Sequence, residues 1–177
     1  MIASVWSCLV VAWFTGGQAL PPPRDGEIRA LYWELRSESE VWVTLEPKSL
    51  DGKPAPPGMI VTFTYRFKGK QPENPPSAID ANAYAGLTWA PRVEFWLLLD
   101  GREKLDLVPR GAFTLSSGTV SDYLSATVPL ALVKRLANAK RVTGSALGFD
   151  FEITASQRQA VRAFIERILS DDPLRAR

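Results

Sequence analysis

The chain has 177 residues, 21 Lys or Arg against 19 Asp or Glu, and a net charge of +2. It contains no histidine and one cysteine, Cys8. Without imidazole there is no Ser-His-Asp or Cys-His site and no His-ligated zinc or copper, so any chemistry must use carboxylates, Lys, Tyr, Ser or Thr. So small a net charge does not provide the concentrated basic surface that phosphate backbones demand, and no nucleic-acid partner is expected. No Gly-rich phosphate loop, metal-ligand spacing or other motif asks for a metal or organic cofactor.

The first fourteen residues are almost wholly apolar (Ile2, Val5, Trp6, Leu9 to Val11, Trp13, Phe14) and give way to Thr15-Gly16-Gly17-Gln18-Ala19. Small residues ending in G-x-A after an apolar run have the form of a signal-peptidase site, which predicts a signal peptide over 1–19 and a mature chain beginning at Leu20. The n-region departs from the usual pattern because it carries no Lys or Arg. The run also falls short of the roughly 20 apolar residues needed to span a bilayer, so the uncleaved-anchor reading ranks second and no stable transmembrane segment is expected after cleavage. Cys8 lies inside the apolar run, not after it, which argues against lipidation there. The expected location is extracytoplasmic, either periplasmic or secreted.

Residues 20–26, with Pro21-Pro22-Pro23, read as a stiff extended linker. Residues 27–170 read as one β-rich domain, long enough to bury a core without disulfides, and 171–177 as a tail. Leu31, Trp33 and Leu35 alternate in the run from Glu27, as do Val41, Val43 and Leu45 after the polar Ser37-Glu38-Ser39-Glu40, predicting two strands joined by a hairpin connection. Met59, Val61, Phe63, Tyr65 and Phe67 form the longest alternation, with Ile60, Thr62, Thr64, Arg66 and Lys68 on the opposite face. From Gly69 to Leu87 no period is visible, and a long surface loop is expected.

Asp100-Gly101 between two apolar runs is a strong hairpin signal. A two-residue turn would set Leu98 opposite Glu103 and Trp96 opposite Leu105, gathering Trp96, Leu98, Leu105 and Leu107 on one face. Pro109-Arg110-Gly111 breaks the pattern, Ala112 to Leu115 resumes a short strand, and Tyr123 to Val128 is another. Pro129 suits the first turn of a short helix reaching Ala139. Arg141 to Gly148 and Asp150 to Ile153 form a last strand pair. Thr154 and Gln157 then make a capping box for a helix from Ala155 to Leu169, with Val161, Phe164, Ile165 and Ile168 on one stripe. The fold expected is mainly β: an antiparallel sandwich or partly closed barrel of about seven to nine strands, with a short helix and a docked C-terminal helix.

Two kinds of residue are candidates for contact. Trp42 lies opposite the apolar face of its strand and Trp89 ends the long loop, so these are the tryptophans placed for stacking or interface contact, whereas Trp33 and Trp96 fall on core faces. Lys140 and Arg141, with Lys134, Arg135, Arg158, Arg162 and Arg167, make the last quarter basic, as an anionic surface would favour. The same residues also fit a plain solvated face, since basic side chains suit helix C-termini. Among the acids, Glu94, Asp100, Glu103, Asp106 and Asp122 are the only basis for a carboxylate hydrolase such as a glycosidase, and turn or strand-face roles account for them more simply. Ser116, Ser117 and Ser121 lack a histidine base and an S-x-x-K partner. No catalytic residue is assigned. The functional expectation is an exported, non-catalytic binding or structural module whose partner is a protein, glycan or lipid outside the cytoplasm.

Overall fold

The structure is a computed structural model that describes residues 14–15, 18–19, 22–86, 94–116 and 119–175, the side chains of 14–19 and 110–121 excepted. Most of the apolar N-terminal run and Trp89 lie outside the described residues. A short antiparallel pair, β1 (Phe14–Thr15) and β2 (Gln18–Ala19), precedes the domain. The domain holds two antiparallel sheets and two helices, and neither sheet closes into a barrel.

The large sheet runs β10-β11-β7-β6-β4-β3. Its strands are β3 (Ile28–Trp33), β4 (Glu38–Leu45), β6 (Ile60–Lys68), β7 (Ala78–Gly86), β10 (Arg110–Ser116) and β11 (Thr119–Pro129). The small sheet runs β5-β13-β12-β8-β9, from β5 (Lys48–Ser49), β8 (Phe95–Leu99), β9 (Glu103–Leu107), β12 (Val142–Ala146) and β13 (Phe149–Ile153). Helix α1 (Leu130–Asn138) follows β11 directly, and α2 (Ala155–Ile168) follows β13. The inward side chains of both sheets and the apolar stripes of both helices share one core, in which Phe63, Phe95, Phe151 and Phe164 are fully buried. Among the described residues, no helix is long and apolar enough to cross a membrane.

The alternation in β4 and β6 places Val41, Val43, Leu45, Val61, Phe63 and Tyr65 in this core, as their period of two requires. Both helices form where expected, except that Pro129 ends β11 as the N-cap of α1 and does not sit inside its first turn. Thr154 caps α2 through a complete capping box, and Val161, Phe164, Ile165 and Ile168 are buried.

Four expectations need correction. The stretch from Gly69 to Leu87 is not a continuous loop, because β7 occupies nine of its residues and lies between β6 and β11. Its inward side chains are Ile79 and three alanines, Ala81, Ala83 and Ala85, too small to give a strong apolar period. Strand β3 also turns its faces over. Ile28 and Ala30 pair with Val43 and Val41 and pack on the core, while Leu31 and Trp33 lie opposite Glu40 and Glu38 on the outward face. Leu35 is wholly exposed in the turn, and Glu38 to Glu40 belong to β4 and not to the connection. Thirdly, Arg110 and Gly111 open β10 instead of interrupting the sheet.

The β8–β9 hairpin shifts by one residue. Asp100 and Gly101 take positive φ, 52° and 67°, and the Arg102 amide donates to the Leu99 carbonyl at 3.0 Å, so the turn is the one expected. Pairing resumes one residue later, with Leu99 opposite Glu103, Leu97 opposite Leu105 and Phe95 opposite Leu107. Arg102 is the extra residue. This register puts Leu105 and Leu107 on the buried face with Phe95, Leu97 and Leu99, whereas the two-residue register would have put them with Trp96 and Leu98. Trp96 and Leu98 therefore point outward with Lys104 and Asp106.

Gly144 of β12 is where the small sheet has least room. A Cβ there would lie 2.7 Å from Leu97 Cδ2, 2.8 Å from the Trp96 carbonyl oxygen and 2.9 Å from Phe151 Cζ. The carbonyl belongs to the neighbouring strand of the ladder and cannot give way without disturbing it. We predict that Gly144→Ala destabilises the domain by about 1–3 kcal/mol, as overpacking of a filled core does. Equilibrium urea unfolding checks this, and a loss too small to measure would mean that the strand can shift.

Candidate functional site: a cationic cleft

Helix α1 ends at Asn138, and residues 139–141 carry the chain into β12 beside the Asp100-Gly101 turn. Two backbone-anchored hydrogen bonds clasp these segments. The Asp100 amide donates to the Arg141 carbonyl at 2.9 Å, and the Arg141 amide donates to Asp100 Oδ1 at 2.9 Å. From the other side, buried Arg158 donates from Nη2 to the Lys140 carbonyl at 2.8 Å and from Nη1 to the Ile153 carbonyl at 2.6 Å. Residues 140–141 are thus held rigidly at the surface while their side chains stay exposed.

Between the turn and the end of α1 opens a cleft of about 1040 Å³. Lys134, Arg135, Lys140, Arg141 and Arg102 supply its cations, and Asp100 and Glu103 its acids. Glu103 is ion-paired with Arg135, and Asp100 is taken up by the Arg141 amide. Arg141 also faces Glu152, with Nη2 to Oε2 3.6 Å. Among the described residues, the side chains of Lys134, Lys140 and Arg102 have no ion-pair partner. Exposed ion pairs contribute little to stability, and like charges gathered in a concavity repel one another. A bound anion would relieve that repulsion.

Lys140 and Arg141, selected on charge, therefore line the cleft together, and Arg102 joins them through the extra residue of the hairpin. The two tryptophans selected with them do not. Trp42 lies on the outward face of the large sheet, away from the cleft, and is only 9% exposed. Trp89 lies outside the described residues. Of the five acids, only Asp100 and Glu103 reach the cleft. Asp106 pairs with Lys104 at 2.6 Å, Glu94 is exposed before β8, and Asp122 is buried on β11 opposite Ala85.

A second polar cluster, not anticipated from the sequence, lies on the outward face of the large sheet. Asn82 of β7 is fully buried. Its Nδ2 donates to Thr62 Oγ1 at 3.1 Å and to Thr64 Oγ1 at 3.2 Å, and its Oδ1 accepts from Tyr123 Oη at 3.0 Å and Ser125 Oγ at 2.7 Å. Beside it, Arg66 bridges Glu40 and Asp80 at 2.9 and 3.1 Å, and Thr127 donates to Asp80. The Asn82 carboxamide spends its donors and acceptor within the sheet, so the cluster organises strands and offers little to a ligand. The polar alternation Thr62-Thr64-Arg66 was its only signal in the sequence.

Comparison with protein-family models, with curated proteins and with solved structures finds no match to this chain. The geometry of the cleft is thus the ground for a functional reading.

Tyr84, whose ring lies 4.8 Å from that of Tyr123, reports on the outward cluster. Burial, with the neighbouring Tyr123 second, pushes the Tyr84 phenol well above its ordinary 10.0. The raised value means that the neutral phenol is favoured in the folded chain. Its contribution to stability is complete below the unfolded value near 10 and is lost as pH rises through the folded one. Burial also raises the Tyr65 phenol, and we predict that ultraviolet titration of the folded protein shows a tyrosinate component delayed beyond the ordinary range, the latest part of which Tyr84→Phe removes. An ordinary titration for every tyrosine would place Tyr84 in water.

Proposed function

We propose that this chain is an exported, non-catalytic binding module that takes an anionic ligand in the cleft between α1 and the β8–β9 turn. The supporting observation is the set of three side chains, Lys134, Lys140 and Arg102, without acidic partners among the described residues, in one concavity whose backbone is pinned by Arg158 and by the Asp100–Arg141 clasp. A rigid scaffold bearing exposed charge suits binding, since little ordering entropy is lost when the ligand arrives. A carboxylate hydrolase has less support: the two acids at the cleft are already engaged, one by an arginine and one by a backbone amide. Export rests on the apolar N-terminus and Gly17-Gln18-Ala19.

Two measurements test this reading. Protein from its native host is expected to begin at Leu20 on N-terminal sequencing, whereas an intact Met1 in the membrane fraction would favour an anchor. Wild-type protein is expected to bind at least one of dextran sulfate, inorganic polyphosphate and phosphatidylglycerol vesicles, with affinity falling as salt rises. The double variant Lys134→Glu, Lys140→Glu should weaken that binding at least tenfold, a loss on the order of 1.4 kcal/mol or more. No binding to any of the three, or binding indifferent to the variant, would overturn the anionic-ligand reading.

A further inference from the structure

The cleft does not end at its cations. Leu98, which lines it, belongs to the outward face of β8, where it lies opposite Thr143 on one side and Lys104 on the other. One row further along the same face, Trp96 lies opposite Ser145 and Asp106. Residues two apart on a strand are separated by about 7 Å, so Leu98 and Trp96 form a half-buried apolar strip comparable in length with a disaccharide and leading straight out of the cleft. Its borders are polar: Thr143 and Ser145 on β12, Lys104 and Asp106 on β9. Lys104 Nζ sits over the Trp96 ring, 5.5 Å from its centre, and 2.6 Å from Asp106, with its side chain about half exposed, so a sugar ring stacks on the indole by displacing it or by taking the other face. The strip is thus flanked by a Lys104–Asp106 ion pair.

We infer that the ligand of the cleft is an acidic glycan, its carboxylate or sulfate groups held by Lys134, Lys140 and Arg102 and its sugar rings laid along Leu98 and Trp96. This rests on the anionic-ligand reading above and specifies the ligand's class. Sugar rings present apolar faces edged by hydroxyls, and an indole bordered by Thr, Ser, Asp and Lys side chains meets both parts. The strip lies in the β12-β8-β9 ladder and the cleft is clasped to the same strands, so both halves of the site are preorganised together. A lipid surface fits less well. It asks for several apolar side chains to insert beside the cations, and of the large apolar side chains exposed among the described residues (Leu35, Leu50, Val108, Leu169) only Leu50 lines the cleft.

The test compares oligosaccharides of dextran sulfate and of polygalacturonate with inorganic polyphosphate, neutral dextran and phosphatidylglycerol vesicles, by calorimetry at fixed salt. The wild-type protein should bind at least one acidic oligosaccharide and not neutral dextran. Trp96→Ala should weaken that binding roughly tenfold while leaving any binding of polyphosphate unchanged. Trp96→Phe, which retains a ring if alanine disturbs the sheet, should lie between the two. Thermal melts identify any variant that has lost its fold. Glycan binding that survives both Trp96 variants overturns the inference, as does binding to vesicles or polyphosphate without binding to either glycan, and both results leave the anionic-ligand reading standing. Failure to bind any anion overturns the two together.

Discussion

A buried carboxamide has to spend all its hydrogen bonds, and the position of Asn82 turns that requirement into the register of the large sheet. Its donors reach Thr62 and Thr64 on β6, and its acceptor is shared by Tyr123 and Ser125 on β11. Sliding β7 by one residue would move Asn82 to the core face and put an alanine in its place among four hydroxyls. The inward side of β7 resists such a slip only weakly, because apart from Ile79 it offers Ala81, Ala83 and Ala85, which have little shape to interlock. The register has a consequence for α1. With Pro129 opposite Ala78, the Leu130 amide donates to the Ser77 carbonyl at 2.9 Å, which places the first turn of the helix. The last turn of that helix forms one wall of the cleft, so a polar contact on one face of the protein governs a charged surface elsewhere.

The small sheet is governed by the opposite kind of force. In β8 and β9 the turn chemistry of Asp100-Gly101 and the demand to bury one continuous apolar face differ by one residue, and burial decides. Placing Leu107, which is buried, and Leu105, which is partly buried, beside Phe95 and Leu97 outweighs a bulge at Arg102, since each fully buried large apolar side chain contributes about 1.5–3 kcal/mol. The outcome matters for function, because it releases Trp96 and Leu98 to the outward face and moves Arg102 to the edge of the cleft. Gly144 allows β12 to lie beneath Leu97 and Phe151 while its neighbours Thr143 and Ser145 line the outward strip.

The elements most legible in the sequence were those carried by strong side-chain periods. The alternation in β6, the capping box and stripe of α2, and the proline at the start of α1 all reappear in the structure. Strand β7 leaves little trace in the sequence because Ala, Asn and Asp have weak strand propensity and, Ile79 apart, its inward side chains are single methyl groups. Strand β3 was found with its faces reversed, because Leu31 and Trp33 are the larger side chains but Ile28 and Ala30 sit opposite the core residues of β4. The cleft was legible only in part. Lys140 and Arg141 stood out as charge, but their partners across the opening come from a turn some forty residues away, a separation no local pattern reports. A two-residue turn puts Trp96 on the core face, and the tertiary structure overrides that register.

The role of Asn82 can be isolated because removing its carboxamide leaves the backbone of β7 and its inward alanines untouched. Equilibrium urea unfolding of Asn82→Ala measures it most directly. The hydroxyls of Thr62, Thr64, Tyr123 and Ser125 would lose their shared partner, and the expected loss is about 2–4 kcal/mol. A variant that unfolds at the same urea concentration as the wild-type chain would contradict the account, showing that the register of the central strands is held by something other than this contact.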